Sequence, residues 1–359
     1  MQKEEHTELI ELIEKFLKSR VTPEYLYERL ENSRVTDDSL WNQIQELGFF
    51  EFFQDLSQVA SPFGLLGNIQ RCAGKYLLPE SLGESLLSGP FFLSQFNENQ
   101  LSPLKELVGD AALELVLSGQ KSFAIIPPIP QDLTLGAAEG QDVLTGSMAG
   151  VVRRPDCLGY IYCAEDSLYL ILENTSIQDV SPATPVDRVL PRGVYEVPSQ
   201  PILECNHIDT GAWRSMVRFL VVAELLGIGE QVLSMTTKYV TEREQFGVAV
   251  GCFQAVSHPL ADAYLHLQEV EALFYFLGGM LDRDDEQAET VALVSLAAAV
   301  TRVPLIVEKC IQLHGGIGFT WEFPLHLYLR RAMMFQSLYR LTSQEYERIC
   351  RGQALDKSC

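Results

Sequence analysis

The residues best suited to chemistry lie in the last third of this 359-residue chain. Arg243 ends a long helical stretch and is followed by Glu-Gln-Phe246-Gly247; Phe253-Gln254 comes next; Gln312-Leu-His314-Gly315-Gly316-Ile-Gly318 closes the series. An arginine at a helix end offers a fixed fork of donors, suited to a pyrophosphate. Phe246 brings a flat apolar surface, and Gln254 and Gln312 each bring a donor and an acceptor that suit a dinucleotide. Gly315, Gly316 and Gly318 let the backbone approach a ligand closely or take positive φ. Singly, each has a plainer reading: Arg243 as a solvated helix-end charge, the glycine pair as a turn between helices. The whole set in this order favours the ligand reading. A separate carboxylate, Glu224, sits in the apolar stretch Val221-Val-Ala-Glu224-Leu-Leu. Buried there alone it has the raised pKa of a proton-abstracting base; the plainer alternative is a pair with an arginine of another helix.

The elements that must position these residues fall into three textures. Residues 4–19 carry Leu9, Ile10, Leu12, Ile13, Phe16 and Leu17 at helical spacing. Residues 23–32 and 38–47 read as two more helices, the second capped by Asp37-Asp38-Ser39 and ended by Gly48. Residues 62–88 and 102–116 are helical again, punctuated by Pro79, Gly83 and Pro90. From Gly119 to Leu203 prolines cluster and short β-type runs take over, such as Phe123-Ala-Ile-Ile126, Ser167-Leu-Tyr-Leu-Ile-Leu172 and Gly193-Val-Tyr-Glu-Val197. From Thr210 long helices return over 211–242, 254–281 and 286–312, with Asp282-Arg-Asp-Asp-Glu286 as a polar turn. Long antiparallel neighbours on short connections make a bundle. The expectation is an α+β chain: an all-helical N-terminal domain over 1–117, a small middle β domain over 118–203, and a C-terminal four-helix bundle over 204–359.

A content of 47% hydrophobic and 21% charged residues excludes disorder as the main state. The balance of 27 Lys+Arg against 48 Asp+Glu, net −21, argues against nucleic acid and anionic membranes as partners. Residues 204–359 hold 13 basic and 19 acidic side chains, net −6, while the first 203 hold 14 and 29, net −15. An anionic ligand therefore meets the least repulsion in the C-terminal part. The eight cysteines form no C-x-x-C pair and no zinc spacing, so reduced thiols, no metal and a cytoplasmic location are expected. The polar start Met-Gln-Lys-Glu-Glu-His speaks against a signal peptide, and no uninterrupted apolar run has the length of a membrane span.

Taken together, the Arg243-x-x-Phe246-Gly247, Phe253-Gln254 and Gln312-x-x-Gly315-Gly316-x-Gly318 motifs resemble the C-terminal domain of the acyl-CoA dehydrogenase family. In outline the resemblance covers the whole chain, since the α, β, α order matches and Trp41-Asn-Gln-Ile-Gln-Glu-Leu-Gly48 is similar to the family's early helix. It implies α,β-desaturation of an acyl-CoA thioester, an FAD cofactor, an electron-accepting flavoprotein, and dimers or tetramers. In that family Arg243, Phe246, Gln254, Gln312, Gly315 and Gly316 correspond to residues that hold the adenosine and pyrophosphate of FAD bound mainly by the neighbouring subunit.

The catalytic positions depart from the family. Desaturation beside a thioester needs a carboxylate to remove the α proton while flavin accepts the β hydride. One family position for that carboxylate falls on Tyr339, or on Arg340 with a gap; the other falls on Val217, before Arg218. The family's flavin-binding segment of small hydroxyl residues is replaced by Ile125-Ile-Pro-Pro-Ile-Pro-Gln-Asp132, and its L-x-G-x-K hairpin by Leu144-Thr-Gly-Ser-Met148. The resemblance then points to the non-catalytic partner of a heteromeric enzyme, similar to bacterial acyl-CoA dehydrogenases that shorten steroid side chains, with a bulky acyl-CoA as substrate. The stretch Gly318-Phe-Thr-Trp-Glu-Phe-Pro-Leu-His-Leu-Tyr-Leu-Arg-Arg-Ala332 is especially similar to that subgroup. Two alternatives stand beside it. One is an active homo-oligomer with a relocated base among Glu224, Glu204, Asp209 and Glu322; the other is a scaffold that has lost catalysis. Phosphates of a coenzyme call for local positive charge such as Arg214, Arg218, Arg330 or Arg331.

Overall fold

The computed structural model describes residues 3–355 apart from 33–36, 55, 139–140, 165–166, 174–175, 183 and 322. The N-terminal helices are α1 (Lys3–Arg20), α2 (Pro23–Asn32), α3 (Asp38–Glu46), α4 (Phe49–Phe52), α5 (Pro62–Lys75), α6 (Leu82–Leu86), α7 (Glu98–Val108) and α8 (Asp110–Leu117). The strands β1 (Ser122–Ile125), β2 (Asp132–Ala138), β3 (Gln141–Val151), β4 (Cys157–Cys163), β5 (Leu168–Leu172), β6 (Gln178–Asp179) and β7 (Gly193–Glu204) follow. Then come α9 (Thr210–Glu242), the short strands β8 (Glu244–Gln245) and β9 (Val248–Ala249), α10 (Gln254–Leu281), α11 (Ala288–His314), α12 (Leu325–Leu338) and α13 (Ser343–Leu355). A helical N-terminal part, a small sheet in the middle and a C-terminal helical bundle are thus present in the expected order.

Local chemistry moved two boundaries. The helical stretch expected over 62–88 stops at Lys75, and Leu77 takes φ +52 before Pro79. The one expected over 102–116 is two helices, because Gly109 at φ +85 breaks it. Strand β2 was not expected from sequence, and most of its residues are exposed, so it lacks the apolar alternation that marks a strand.

The chain divides into two compact units: Met1–Leu9, Ser33–Pro62 and Pro79–Val217 form the first, and Ile10–Asn32, Phe63–Leu78 and Arg218–Cys359 the second. The first unit is organised by the sheet, in the order β1-β4-β5-β7-β3-β2 with β6 also on β7; β1 and β4 run parallel and the other pairs antiparallel. Strand β7 serves both halves of the sheet. Its residues 193–201 pair with β3 and 202–204 with β5, and the register slips at Ser199, which takes φ +101. Such a bulge bends the strand so that one core can form under both halves, with Leu144, Met148, Tyr160, Ile171 and Val197 within it. Helix α3 is fixed in the same unit by Trp41. Its Nε1 donates to the Gly119 carbonyl at 3.0 Å, and its ring carries the Arg154 guanidinium 3.9 Å from the centroid. Arg154 is in turn paired with buried Glu80, so the buried cation is compensated.

The second unit is the bundle of α9 to α12 with α5 laid against α9. Phe219 of α9 stacks on Phe274 of α10 with centroids 5.2 Å apart and planes 3° from parallel, a pair worth about 1 kcal/mol beyond its burial. Close approach of α5 and α9 depends on glycines: a Cβ at Gly67 would run into the Phe219 ring, one at Gly74 into the Glu224 carbonyl, and one at Gly227 into the Arg71 carbonyl. The stretch Ala288–Phe319, which includes α11, is long and apolar enough to cross a membrane by composition. Over half of its most apolar window is buried within the protein, which is the signature of a bundle's core helix.

Candidate functional site

The end of the bundle where α9 and α11 finish collects the motif residues. Helix α9 ends at Glu242, and a two-residue turn joins β8 to β9 with Phe246 at φ +53 and Gly247 at φ +83. Positive φ at both central positions is the type I′ geometry that matches hairpin twist. Glycine takes it without cost, but phenylalanine does not. The hairpin lifts Phe246 to 93% exposure, with the Phe253 ring 6.1 Å from its own and nearly perpendicular to it. Held in a strained conformation in water, Phe246 is a candidate contact for a ligand or partner.

Arg243 is anchored through its main chain: its N–H donates to the Tyr239 carbonyl at 2.9 Å, and its carbonyl accepts from Val250 N–H at 2.8 Å. Its side chain is exposed and has no partner among the described residues. Gln254 opens α10, whose N-cap Phe253 supplies no side-chain acceptor; the Val256 and Ser257 N–H groups donate to the Phe253 carbonyl at 2.9 Å, which leaves those of Gln254 and Ala255 for an anion. Gln312 is exposed near the end of α11, and its carbonyl takes the Gly315 N–H. Gly315, at φ +64, and Gly316 have open space where a Cβ would stand. Gly318 is different: its Cβ would lie 2.7 Å from the Ile311 carbonyl, so that glycine serves the fold of the turn.

Tyr239, one turn before Arg243, brings the two helix ends together. It stacks on His314 at 4.5 Å and 16°, and its hydroxyl reaches the His314 carbonyl at 3.4 Å. His314 is buried, which lowers its pKa, while the Cys310 carbonyl 2.8 Å from Nδ1 opposes the shift. The structure therefore gathers Arg243, Phe246, Gln254, Gln312, Gly315 and Gly316 at one end of the second unit.

The positions read for the catalytic carboxylate hold other chemistry. Val217 is buried and apolar; Tyr339 is the buried C-cap of α12; Arg340 is exposed. Glu224 is only 3% exposed and fully engaged: Arg331 donates to Oε1 at 2.6 Å and Gln70 to Oε2 at 2.7 Å. Glu204 accepts from Ser167 at 2.6 Å, Asp209 caps the start of α9 through Ala212 N–H at 3.0 Å, and Glu322 lies outside the described residues. Arg218, read as a substrate contact, is buried against Glu345 at 3.0 Å and Glu289 at 3.7 Å. Arg214 donates to the Ala164 carbonyl at 3.1 Å. With Arg331 on Glu224, each of Arg214, Arg218 and Arg331, considered for coenzyme phosphates, holds an internal partner.

In the first unit the segment between β1 and β2 offers little to a ligand. Pro127, Pro128 and Pro130 have no N–H to give. Gln131 donates to the Ala149 carbonyl at 3.2 Å and accepts from its N–H at 2.8 Å, closing both backbone groups of that strand residue. Met148 is in the core. Sequence reasoning missed Gln131, and no spacing pattern marks it. It also missed Tyr239, whose position one turn before Arg243 was the available signal. No group of three or more His, Cys, Asp or Glu that could hold a metal occurs among the described residues. Burial pushes the thiols of Cys72, Cys157 and Cys205 up to about 12, so they are packing residues.

Comparison with known proteins bears on the fold and on the C-terminal domain. The acyl-CoA dehydrogenase C-terminal domain model matches residues 215–338. Acyl-CoA dehydrogenase IpdE2 of Mycobacterium tuberculosis is 27% identical over 334 residues, which is 92% of this chain and 91% of the relative. Among solved structures, a variant of the Tcur3481-Tcur3483 steroid ACAD has a TM-score of 0.84 at 21% identity, covering 99% of both chains. The ChsE4-ChsE5 complex from Mycobacterium tuberculosis has a TM-score of 0.81 at 18% identity, covering 99% of this chain and 98% of the other. The two structural likenesses show the acyl-CoA dehydrogenase fold, and the domain match shows an acyl-CoA dehydrogenase C-terminal domain over residues 215–338.

Proposed function

We propose that this chain is the non-catalytic partner in a heteromeric, FAD-dependent acyl-CoA dehydrogenase. The observation that carries the reading is an asymmetry within one molecule. At the end of the bundle, Arg243, Gln254 and Gln312 have side chains without partners among the described residues, Phe246 is bare, and Gly315 and Gly316 border open space. That donor set fits the adenosine and pyrophosphate of FAD held mainly by another subunit. The segment that would hold a flavin of its own has three prolines, and its Gln131 is taken up by both backbone groups of Ala149, so it does not fit.

FAD, when bound, supplies the acceptor for the substrate's β hydride. In this reading the chain's own residues bind and orient. Arg243 neutralises phosphate charge, Phe246 packs on the adenosine, the two glutamines fix its polar edges, and the glycines admit the ligand to the backbone. The carboxylate that removes the α proton comes from the catalytic subunit, because Val217, Tyr339 and Arg340 cannot act as that base at neutral pH. An electron-accepting flavoprotein would be the partner that takes up the assembly's electrons. The substrate is a bulky acyl-CoA of steroid type, a reading supported by relatives that include a steroid ACAD and the two-component ChsE4-ChsE5 complex. A relocated base at Glu224 is disfavoured because both its oxygens are engaged inside the bundle.

The test is flavin content and native mass of the protein purified alone and with a catalytic acyl-CoA dehydrogenase subunit. A colourless lone chain, and a complex with one FAD per pair of unlike chains, is the expected result. A yellow lone chain with one FAD per chain, bleached by an acyl-CoA, would reject the reading.

A further inference from the structure

We infer that Tyr239 and His314 are positioning residues: their stacked rings hold the turn at Gly315–Phe319 in register with Arg243, so that the ends of α9 and α11 act as one ligand surface. The inference rests on the half-site reading above and extends it to residues that touch no ligand.

His314 is the last residue of α11 and is 3% exposed. Its Nδ1 lies 2.8 Å from the Cys310 carbonyl one turn earlier, which places the ring proton on Nδ1 and sets the ring's orientation. Nε2 is then an acceptor, buried and without a hydrogen-bond partner among the described residues. One face of the ring meets Tyr239 at 4.5 Å, and Phe323 approaches at 4.9 Å with a 60° tilt. Tyr239 also meets Phe323 edge-on at 5.7 Å, so the three rings form a closed cluster drawn from α9, α11 and the segment after the glycine turn.

Each end of this cluster leads directly to a half-site residue. From Tyr239 the path is one hydrogen bond, its carbonyl accepting from Arg243 N–H at 2.9 Å. From His314 the path is one peptide bond, to Gly315. The turn is folded back on the helix end, since a Cβ at Gly318 would lie 3.0 Å from the His314 Cβ. Displacing the imidazole therefore moves Gly315 and its neighbours relative to Arg243, whereas a solvent-facing residue at 314 would leave the turn held only by its own bonds. A half-site assembled before the ligand arrives loses less ordering entropy on binding.

The test uses the full chain, with two readouts: hydrogen–deuterium exchange at the amides of Gly315–Phe319 in the chain alone, and FAD retention by the complex with its catalytic subunit. Tyr239→Leu, a change on α9, is expected to speed exchange in the distant glycine turn and weaken FAD retention about tenfold, the effect of losing one strong aromatic pair. His314→Ala is expected to do the same, and His314→Phe, which keeps a ring in place, to restore most of the protection. Should His314→Ala fail to fold, the other two variants decide. If Tyr239→Leu leaves the turn's amides as slow as in the wild type, or if His314→Phe protects no better than His314→Ala, the positioning role is rejected. A wild-type chain that retains no FAD with its partner rejects the half-site reading instead, and exchange in the lone chain keeps that failure separate.

Discussion

Glu224 of α9 and Arg331 of α12 form an ion pair at 2.6 Å inside the bundle, with the two residues 3% and 1% exposed. Two charges removed from water are tolerable only when each compensates the other, and taking away one partner leaves an unpaired buried charge. Glu224→Gln should therefore destabilise the chain by about 3 kcal/mol or more, read as a lower urea midpoint with an unchanged slope. Turnover of the assembled enzyme, measured on protein that remains folded, should be unaffected. Loss of turnover with flavin still bound would mean that Glu224 is the missing base and that this chain does chemistry itself.

How much of this was legible in the sequence depended on where the determining interactions act. Arg243, Phe246, Gln254 and the Gln312-to-Gly316 run stood out because residue types at fixed offsets survive in the linear order, and the structure brings them to one end of the bundle. The long helices α9, α10 and α11 were visible by period and length. What stayed hidden was set by partners far away in sequence. Glu224 announced itself as a carboxylate in an apolar run, but its choice of Arg331 over other arginines, and the second donor Gln70, depend on how α5 and α12 pack on α9. Arg218, a candidate positive charge for a coenzyme's phosphates, is held by Glu289 and Glu345 of two later helices. Strand β2 carries no apolar stripe to betray it, because it lies at the edge of the sheet.

Glycines divide into those pressed against neighbouring backbone and those that border open space, and one experiment separates their roles. A Cβ at Gly227 would strike the Arg71 carbonyl, backbone that cannot swing aside, whereas one at Gly316 would enter open space. Gly227→Ala should cost about 1–3 kcal/mol by forcing α5 and α9 apart, seen as a lower melting temperature. Gly316→Ala should melt like the wild type, yet its complex should retain less FAD. Equal stability losses in both variants would show that the glycine turn is structural only.

Phe246 offers a case in which stability and function pull in opposite directions. Its φ of +53 costs a side-chain-bearing residue about 1 kcal/mol relative to glycine, and its ring gains little in return at 93% exposure. Phe246→Gly should leave the chain as stable as before or up to about 1 kcal/mol more stable, while the complex loses FAD more readily. A destabilised variant would indicate that the ring has a packing role within the lone chain.

Acid should loosen the same end of the bundle. Burial holds His314 below the ordinary imidazole value of 6.5, against the opposing Cys310 carbonyl. Burial likewise lowers His326, with Arg330 adding to the effect and the Phe323 carbonyl resisting it. His326 lies beside Trp321 at 4.9 Å and parallel to Tyr27 at 6.2 Å, so both rings are packed near the two ends of the glycine turn. For a base whose folded pKa is depressed, the unfolded chain binds more protons in the interval between the two values. The stability these rings contribute is therefore complete above about pH 6.5 and is lost as the pH falls through that interval. Melting temperatures between about pH 7.5 and about pH 5 should decline, and His314→Phe should decline less over the same range, because one of the two protonation sites is gone. Carboxylates titrating in acid act on both proteins alike, so the difference between the two curves isolates the imidazole. A variant that loses as much as the wild type would show that protonation at residue 314 does not couple to the fold.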